Sequence, residues 1–362
     1  MTLALRLAAK GCGTASPNPM VGAVVVNRGR IVGQGFHLRP GLPHAEIIAL
    51  RRAGKRANGA SLYVTLEPCC HLKKRTPPCV PAVIRSGVRR VVIATNDPNP
   101  VVKGKGVVAL RQAGLSVTTG IAKREAEGLN RAYNHWMKTK RPFVILKAGM
   151  TLDGQIATAS GEAKWITSNQ SRLEAHQLRS HVDAILVGIG TVLSDDPSLT
   201  ARVGSRLKKL AIRQPLRIVV DSKLRVPLNA QILSNQDAAK TLVVTTSSAP
   251  PARRHALRKR GIEVLSLPGE RGRVSLHALM HELGKRGVTS LLVEGGGEIN
   301  AAMLKAKLVQ QVRLYIAPTL LGGGNAKGVI GGKSPARLAQ ALKLRGVRTR
   351  SVGSDVVVEG NL

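Results

Sequence analysis

Three side chains near the start of the chain have the types and spacing of a metal site. His44 precedes Glu46 by two residues, Cys69 follows a proline, and Cys79 ends the run TPPC. A zinc ion that keeps an open coordination position takes about three nitrogen or sulfur ligands and lowers the pKa of a bound water. One histidine and two cysteines supply such a set, so we predict a catalytic zinc site at His44, Cys69 and Cys79.

Glu46 follows the histidine closely enough for its carboxylate to lie near the metal without binding it. A glutamate in that position can take a proton from the water and deliver it to a leaving amine. The order H-x-E, then P-C and a later cysteine, is the signature of zinc deaminases, here with a longer gap between the cysteines. The sequence therefore predicts hydrolytic deamination with Glu46 as the proton carrier.

Alternatives stay open at this site. Cys70 and His71 adjoin Cys69 and compete with it as ligands, although a residue after a proline at a helix start is expected to point inward, which favours Cys69. Unrelated core or loop residues would not be expected to place HAE, EPC and TPPC in this order. A zinc-stabilised binding protein without catalysis is the other alternative, and it predicts that Glu46 is dispensable.

The elements that must position these residues alternate between strands and helices. Apolar, β-branched runs separated by helical stretches are typical of α/β layers with a largely parallel sheet. The predicted strands are 21–26, 60–66, 89–95, 115–118, 143–150, 184–190, 217–222, 241–246, 262–267, 290–296 and 312–318, and the predicted helices include 45–53, 81–86, 107–113, 123–138 and 299–304. Segments 201–215 and 247–256 are expected to be exposed loops. The basic stretch 138–143 predicts a boundary between domains 1–140 and 141–362.

The net charge of +36 is the most unusual bulk property of the 362 residues. Residues 1–140 carry 23 Lys and Arg against 5 Asp and Glu, and the remaining residues carry 33 against 15, so the excess is even. Nucleic-acid surfaces concentrate charge and often add aromatic side chains, but the chain has only two Phe, three Tyr and two Trp. We favour a general basic bias, which also suits a phosphorylated small substrate.

The positions of the cysteines and the hydropathy of the chain indicate the cellular compartment in which the protein is expected. All four cysteines, Cys12, Cys69, Cys70 and Cys79, lie in the first 80 residues, unlike a disulfide framework for a chain of this length. We therefore expect the cytoplasm. No apolar run approaches the roughly 18 residues that a membrane span needs, so we expect no membrane partner.

Longer motifs resemble a known family. PNPMVGAVVV (17–26), PHAE (43–46), VTLEPCCH (64–71), RTPPC (75–79) and DPNPVVKGKG (97–106) resemble the deaminase half of the bifunctional deaminase/reductases of riboflavin biosynthesis. The second half resembles their reductase through KAGMTLDGQIATASGEAKWITS (147–168), VGIGTVLSDDPSLTAR (187–202), RIVVDS (217–222), VEGGGEINAAML (293–304) and APTLLGGG (317–324). The resemblance covers nearly the whole chain.

The resemblance implies a cytidine-deaminase-like three-layer α/β domain followed by a dihydrofolate-reductase-like α/β domain. The first would use Zn²⁺ to remove the 2-amino group of 2,5-diamino-6-(5-phosphoribosylamino)pyrimidin-4(3H)-one, and the second would use NADPH to reduce the ribosyl group to ribityl. We accordingly expect a phosphorylated pyrimidine as the partner, no specific nucleic acid, and a homo-oligomer. The alternative, a zinc deaminase acting on nucleic acid, leaves the second half of the chain unexplained.

In the deaminase half, the resemblance implies substrate contacts at Asn18, Arg75, Asp97 and Asn99. Asn18 would contact the base, and the other three would lie near the ribose phosphate. Arg75 has the clearest physical motive, because a guanidinium binds phosphate through paired donors. The other three side chains have an alternative role in shaping the turns of SPNP and DPNP.

In the reductase half, the implied substrate residues are Lys147, Arg179, Leu199, Arg202 and Glu294. The two arginines would clamp the phosphate, the glutamate would accept hydrogen bonds from the pyrimidine edge, and the lysine would reach the ribose or assist proton transfer. The alternative for either arginine is a solvated surface charge.

The implied cofactor residues are Gly149, Trp165, Thr191, Asp195, Ser222, Gly296, Gly297, Glu298, Ile299, Asn300, Ala301 and Ala302. Glycines before a helix let the backbone approach a pyrophosphate, and free N–H groups at the helix start favour an anion. The alternatives are a bare turn at the glycines, a cap at Asp195 and a core position for Trp165.

Two positions depart from the family pattern. Cys69 and Cys79 are ten residues apart, whereas the family more often has nine. Ala163 stands where the family usually has a serine, so a hydroxyl that would contact the phosphate is missing.

Overall fold

The computed structural model describes residues 1–72, 76–202 and 213–362. They form two compact units, Met1–Lys140 and Arg141–Leu362. In this described part of the chain, no helix is both long enough and apolar enough to cross a lipid bilayer.

The first unit is built on a mixed five-stranded sheet. Its strands are β1 (Gly22–Asn27), β2 (Arg30–Phe36), β3 (Ser61–Val64), β4 (Arg90–Ile93) and β5 (Ser116–Thr119), in the spatial order β2-β1-β3-β4-β5. β1 is antiparallel to β2 and β3, whereas β3, β4 and β5 run parallel. Its helices are α1 (Thr2–Ala9), α2 (Ala45–Ala53), α3 (Cys79–Arg85), α4 (Lys105–Gln112), α5 (Lys123–Leu129) and α6 (Arg131–Thr139), with a 3₁₀ turn at Gly54–Ala57.

Helices cover both faces of this sheet. Ala23 and Val25 of β1 belong to the core beneath α2, α3 and α4, whereas Val24 packs with α1 on the other face. This alternation follows from the two-residue period of a strand. Gly33 lets α2 approach β2, since a Cβ there would lie 2.1 Å from the carbonyl oxygen of Ala49. The unit therefore has the expected three-layer architecture.

The second unit contains a nine-stranded sheet in the order β11-β10-β9-β8-β14-β6-β15-β18-β17. Its strands are β6 (Phe143–Thr151), β8 (Ala184–Gly188), β9 (Leu216–Val220), β10 (Thr241–Thr246), β11 (Glu263–Leu267), β14 (Ser290–Val293), β15 (Gln311–Ala317), β17 (Arg345–Val352) and β18 (Asp355–Asn361). The first seven strands of this spatial order, from β11 to β15, run parallel to one another. The last two, β18 and β17, form an antiparallel edge. The short strands β7 (Gln155–Ala157), β12 (Gly269–Glu270), β13 (Arg273–Val274) and β16 (Lys327–Gly328) pair as β7-β16 and β12-β13.

Two cores lie on opposite faces of the larger sheet. Its helices are α7 (Asn169–His181), α8 (Ile189–Asp195), α9 (Pro251–Lys259), α10 (Leu276–Lys285) and α11 (Gly297–Lys305), with 3₁₀ turns at Gln231–Leu233 and Leu338–Gln340. Leu186 of β8 packs in the core with α10 and α11, and its neighbours Ile185 and Val187 pack in the core with α7 and α9. Both faces of the parallel strands are covered, as expected for an α/β domain.

Several predicted elements differ in the structure. The segment 247–256 was expected to be a loop, but most of it belongs to α9, which begins with Pro251 at a position that helix starts favour. The expected single helix 123–138 is interrupted at Asn130, and the predicted strand 184–190 ends at Gly188, where α8 begins. Within the expected loop 201–215, residues 203–212 lie outside the described part of the chain.

Candidate functional site

His44, Cys69 and Cys79 place their ligand atoms within 4.8 Å of one another. The Nδ1 atom of His44 lies 3.5 Å from Cys69 Sγ and 3.3 Å from Cys79 Sγ. His44 is the residue before α2, Cys79 begins α3, and Cys69 lies in the loop after β3. The backbone N–H of Cys79 donates to the Cys69 carbonyl at 3.0 Å, which holds the cysteines together. Cys70 packs against the core of the sheet instead.

The second ring nitrogen of His44 is held by a residue that sequence reasoning missed. Thr76 Oγ1 lies 3.2 Å from His44 Nε2. Because Nδ1 faces both sulfur atoms, this contact fixes the ring orientation in which Nδ1 is the nitrogen turned toward a metal. Partners of this kind commonly orient metal-binding histidines. The TPPC run therefore contributes both a cysteine and a hydroxyl to the cluster.

Glu46 lies in the first turn of α2 beside the cluster. Its side chain is buried, and its Oε2 atom has no hydrogen-bond partner among the described residues. Burial raises the pKa of Glu46, and the charge of Cys69 acts in the same direction. One nitrogen, two sulfurs and a buried unpaired carboxylate oxygen fit a zinc ion with a water at its open position.

A cavity of about 510 Å³ opens above the cluster. His44, Glu46 and Cys69 line it together with three of the predicted substrate residues, Asn18, Asp97 and Asn99. Tyr133, Trp136 and Met137 of α6 form an aromatic and apolar part of its wall, which the motifs did not reveal. The predicted contact Arg75 lies outside the described residues.

Asn18 is oriented by His37, which is buried in the same cavity wall. Asn18 Nδ2 lies 3.0 Å from His37 Nε2, and His37 Nδ1 lies 3.3 Å from the carbonyl oxygen of Pro43. An amide nitrogen only donates, so His37 Nε2 accepts and His37 Nδ1 carries the proton that it donates to Pro43. Asn130 also secures this loop, because its side chain bonds both the N–H and the carbonyl of Met20.

Asp97 and Asn99 line the cavity and also build the turn that carries them. Asp97 Oδ1 accepts from the Asn99 N–H and from the Tyr133 hydroxyl, both at 2.9 Å. Burial raises the pKa of Asp97 to about 6. Asn99 Oδ1 accepts from the Val101 N–H at 3.2 Å. Turn formation and exposure to the cavity therefore coexist at both positions.

Glu67 ties the cysteine loop to this substrate loop. Its buried carboxylate accepts from the N–H groups of Asp97, Gly104 and Val107 at 3.2, 3.0 and 3.1 Å. Two of these amides belong to the start of α4, where backbone donors lack intrahelical partners. The sequence signal for this role was the EPC motif, in which Glu67 had no assigned function.

A second cavity, of about 590 Å³, lies at the carboxyl ends of β6, β8 and β14. Such an edge is where open α/β sheets bind ligands. The predicted residues that line it are Lys147, Gly149, Thr191, Asp195, Glu294, Gly296, Gly297, Glu298 and Ile299. Ala163 also lines it, at the position where the hydroxyl is missing.

The glycines before α11 form a close-packed cradle. A Cβ on Gly297 would lie 2.6 Å from the Gly328 carbonyl oxygen, and a Cβ on Gly295 would lie 1.9 Å from Ile299 Cγ2. At Gly296 the nearest atom would be Thr191 Oγ1 at 3.7 Å, so the space over this residue is open. A glycine turn that opens into a cavity at a helix start fits a nucleotide pyrophosphate.

Arg179 and Glu294, predicted as separate substrate contacts, bind each other. Arg179 Nε and Nη2 donate to the two Glu294 oxygens at 2.9 and 2.7 Å. Burial opposes ionisation of Glu294, but Arg179 and Lys147 outweigh it and hold its pKa at about 2. Burial lowers the pKa of Lys147, Arg179 adds to that effect, and Glu294 opposes it. Lys147 Nζ lies 5.5 Å from the centre of the Tyr315 ring.

Other predicted residues lie away from the described lining of this cavity. Trp165 is 72% exposed, and the Arg172 guanidinium stacks on its ring. Leu199 is buried in the core beneath α7, and Ser222 Oγ accepts from the Val274 N–H at 3.0 Å. Arg202 contacts His176, Asn300 donates to the Val329 carbonyl, and Ala301 and Ala302 are half-buried in α11.

The fold and the two sites define a class of protein, a zinc-dependent deaminase joined to a nucleotide-dependent reductase. Residues 1–95 match the family model for the cytidine and deoxycytidylate deaminase zinc-binding region. Residues 142–358 match the model for the RibD C-terminal domain. The chain belongs to the RibD family of riboflavin-biosynthesis proteins.

Relatives match over the whole length. The riboflavin biosynthesis protein RibD of Aquifex aeolicus is 44% identical over 99% of this chain and 96% of its own. The structure of Acinetobacter baumannii RibD is 36% identical with a TM-score of 0.90, and a Thermotoga maritima deaminase/reductase is 35% identical with a TM-score of 0.86. Each alignment covers 100% of this chain and 97% of the other. The protein is thus a bifunctional deaminase and reductase that uses zinc and NADPH.

Proposed function

We propose that residues 1–140 deaminate 2,5-diamino-6-(5-phosphoribosylamino)pyrimidin-4(3H)-one and that residues 141–362 reduce the ribosyl group of the product to ribityl. The Thermotoga maritima neighbour is described as a diaminohydroxyphosphoribosylaminopyrimidine deaminase and a 5-amino-6-(5-phosphoribosylamino)uracil reductase. The observation that carries the proposal is the metal-ligand cluster with its buried glutamate in one unit and the glycine-lined cavity in the other.

In the deaminase, His44, Cys69 and Cys79 would hold the zinc ion, which when bound would supply a water of lowered pKa as the nucleophile for C2 of the pyrimidine. Glu46 takes a proton from that water and gives it to the ring nitrogen, then takes the proton of the hydroxyl now on C2 and delivers it to the amino group, which leaves as ammonia. Its raised pKa suits a group that must both accept and donate. The carbonyl product is the corresponding uracil.

The remaining deaminase residues orient the substrate. Asn18 reads the pyrimidine edge, and His37 fixes the orientation of its amide. Asp97 and Asn99 bind the ribose from the turn that Glu67 anchors. Arg75 binds the phosphate through paired guanidinium donors.

In the reductase, the glycine-lined cavity would hold NADPH, which when bound would supply the hydride for reduction at C1′ of the opened sugar. Lys147 lies beside the ribose and assists the accompanying proton transfer, for which its lowered pKa suits it. Glu294 stays ionised and accepts hydrogen bonds from the pyrimidine edge, and Arg179 holds it in place. Arg202 and Arg179 contribute positive charge for the substrate phosphate.

The cofactor residues divide into two groups. Gly149, Thr191, Asp195 and the turn at 296–299 contact NADPH directly from the cavity wall. Trp165, Ser222 and the α11 residues Asn300, Ala301 and Ala302 are assigned to the nucleotide site by the resemblance alone, since they lie outside the lining of this cavity.

We also assign the cytoplasm and a homo-oligomeric state. None of the four cysteines forms a disulfide, which fits a reducing compartment. The edge strand β17 is exposed along nearly its whole length, and Val347 within it is 52% exposed, so a second copy can cover this edge. The enzyme needs no nucleic acid, and any binding to it is non-specific and weakens with salt.

One assay tests the proposed function. Purified protein is incubated with the diaminopyrimidinone phosphate, with and without NADPH and in the absence of nucleic acid, while ammonia and NADPH are followed. We expect one ammonia per substrate under both conditions and NADPH consumption only after deamination. NADPH consumption without ammonia release, or a requirement for RNA, would contradict the proposal.

A further inference from the structure

The segment 198–202, which carries Leu199 and Arg202, is anchored at several consecutive backbone positions. Arg217 Nη1 donates to the Ser198 carbonyl at 3.1 Å. Gln214 accepts from the Ala201 N–H at 2.8 Å and donates to its carbonyl at 2.9 Å. These hydrogen bonds therefore fix the backbone of the segment as far as Ala201, the residue before Arg202.

His176 joins this segment to α7. It is half-buried, three residues before Arg179, so both side chains lie on one face of the helix. His176 Nδ1 lies 3.2 Å from the Thr200 carbonyl oxygen, to which Arg179 Nη1 also donates at 3.3 Å. His176 Nε2 lies 3.2 Å from Arg202 Nη2.

Donor and acceptor chemistry fixes the tautomer of His176. A guanidinium only donates, so Nε2 must accept from Arg202. Nδ1 then carries the single ring proton and donates it to Thr200. The opposite tautomer would let Nδ1 accept from the backbone N–H of Arg202, which lies 3.3 Å away. It would, however, point the Nε2 proton at the Arg202 guanidinium, which is itself a donor.

The surrounding charges keep this ring neutral. Burial lowers the pKa of His176 to about 4, and Arg179 and Arg202 act in the same direction. Glu294 and the Thr200 carbonyl oppose them without reversing the effect. At neutral pH the ring is therefore an acceptor for Arg202.

We propose that His176 is a positioning residue of the reductase, which holds the Arg202 guanidinium ready for the substrate phosphate. The inference rests on the proposed phosphate role of Arg202. Arg202 is exposed, and an unrestrained arginine would lose side-chain entropy on binding. A hydrogen bond to Nε2 removes part of that cost in advance and leaves other guanidinium donors for the phosphate.

Three variants test the proposal in steady-state reduction of 5-amino-6-(5-phosphoribosylamino)uracil and of its dephosphorylated riboside. His176→Phe keeps the ring but loses both hydrogen bonds, His176→Gln keeps an acceptor for Arg202, and Arg202→Ala removes the phosphate ligand. We expect KM for the phosphorylated substrate to rise about 10-fold in His176→Phe, the scale of a hydrogen bond to a charged group. His176→Gln should stay within about 3-fold of the wild type, and kcat, KM for NADPH and KM for the riboside should change little.

The double variant separates positioning from general damage. If His176 acts through Arg202, His176→Phe adds almost nothing in an Arg202→Ala background. Additive losses, or an equal rise in KM for the riboside, would overturn the proposal. If Arg202→Ala raises KM for the phosphorylated substrate but His176→Phe does not, only the role of His176 is wrong. If Arg202→Ala has no effect, the proposed phosphate role fails, and the inference fails with it.

Discussion

At the scale of single residues, the metal cluster shows which parts of a site can be predicted from residue types and spacing and which cannot. Spacing identified His44, Cys69 and Cys79 as a set, because few combinations of histidine and cysteine supply three ligands with an open position. It did not reveal that Thr76 holds the far nitrogen of the histidine. That contact depends on a loop-to-helix fold that no local pattern encodes.

The cluster predicts about one zinc per chain and a clear difference between neighbouring cysteines. Cys79→Ala removes one of the three ligand atoms, so we expect most of the metal to be lost. Cys70→Ala is the matched control, because Cys70 packs against the sheet core and should leave the metal content unchanged. Elemental analysis of both purified variants measures this. Full zinc retention in Cys79→Ala would remove that residue from the site.

The pair formed by Arg179 and Glu294 illustrates a second limit. Each residue was predicted to face the substrate alone, and 115 positions separate them in the chain. In the structure they are only 16% and 7% exposed and bind through two hydrogen bonds. Since the two ends of this bond are charged and largely desolvated, it fixes the carboxylate that faces the cavity. Sequence separation alone hides such a pairing.

At the scale of elements, strands were easier to predict than the segments around them. The parallel strands are runs of β-branched residues buried on both faces, a pattern with few alternatives. The helix α9 was missed because its Arg-rich and Pro-rich sequence is also typical of a loop. Arg253 donates to the carbonyl of Leu224, a stabilising contact that a local pattern does not contain. The hairpin of β17 and β18 was missed because β17 is exposed and has no apolar alternation.

The glycine turn before α11 has two interpretations, a turn without a ligand and a binding site for the cofactor. Gly296 has φ −75° and ψ 179°, a conformation that any residue adopts, so the backbone does not require glycine there. A methyl group at this position has room within the protein, with its nearest neighbour at 3.7 Å. Neither the backbone conformation nor the packing therefore requires glycine at this position, which fits the proposed approach of a cofactor.

Gly296→Ala is therefore expected to weaken NADPH binding without disturbing the fold. The added methyl would occupy space that the pyrophosphate needs, so KM for NADPH should rise about 10-fold or more. Gly128→Ala serves as the control, since its added Cβ would meet nothing within 4 Å and Gly128 does not line the glycine-lined cavity. Reductase kinetics and thermal melting of both variants measure this. An unchanged KM for NADPH in Gly296→Ala would support the bare turn.

At the scale of the whole molecule, the charge of +36 is divided evenly between the two units, since residues 1–140 and residues 141–362 each carry +18. With 20 acidic residues against 56 basic ones, most basic side chains cannot have an acidic partner of their own. Many arginines instead donate to backbone carbonyls, including Arg52, Arg111, Arg217, Arg253, Arg254 and Arg260. The charge thus has structural uses in both units, which agrees with a general basic bias.

The central claim is that one chain carries two separate chemistries, and Glu46→Gln tests it most directly. This substitution keeps the size of the side chain but removes the carboxylate that moves protons. We expect zinc to be retained, ammonia release from the diaminopyrimidinone phosphate to fall at least about 100-fold, and reduction of the already deaminated substrate by NADPH to continue at the wild-type rate. Ammonia release near the wild-type rate, or loss of both activities in a zinc-loaded and folded variant, would contradict the account.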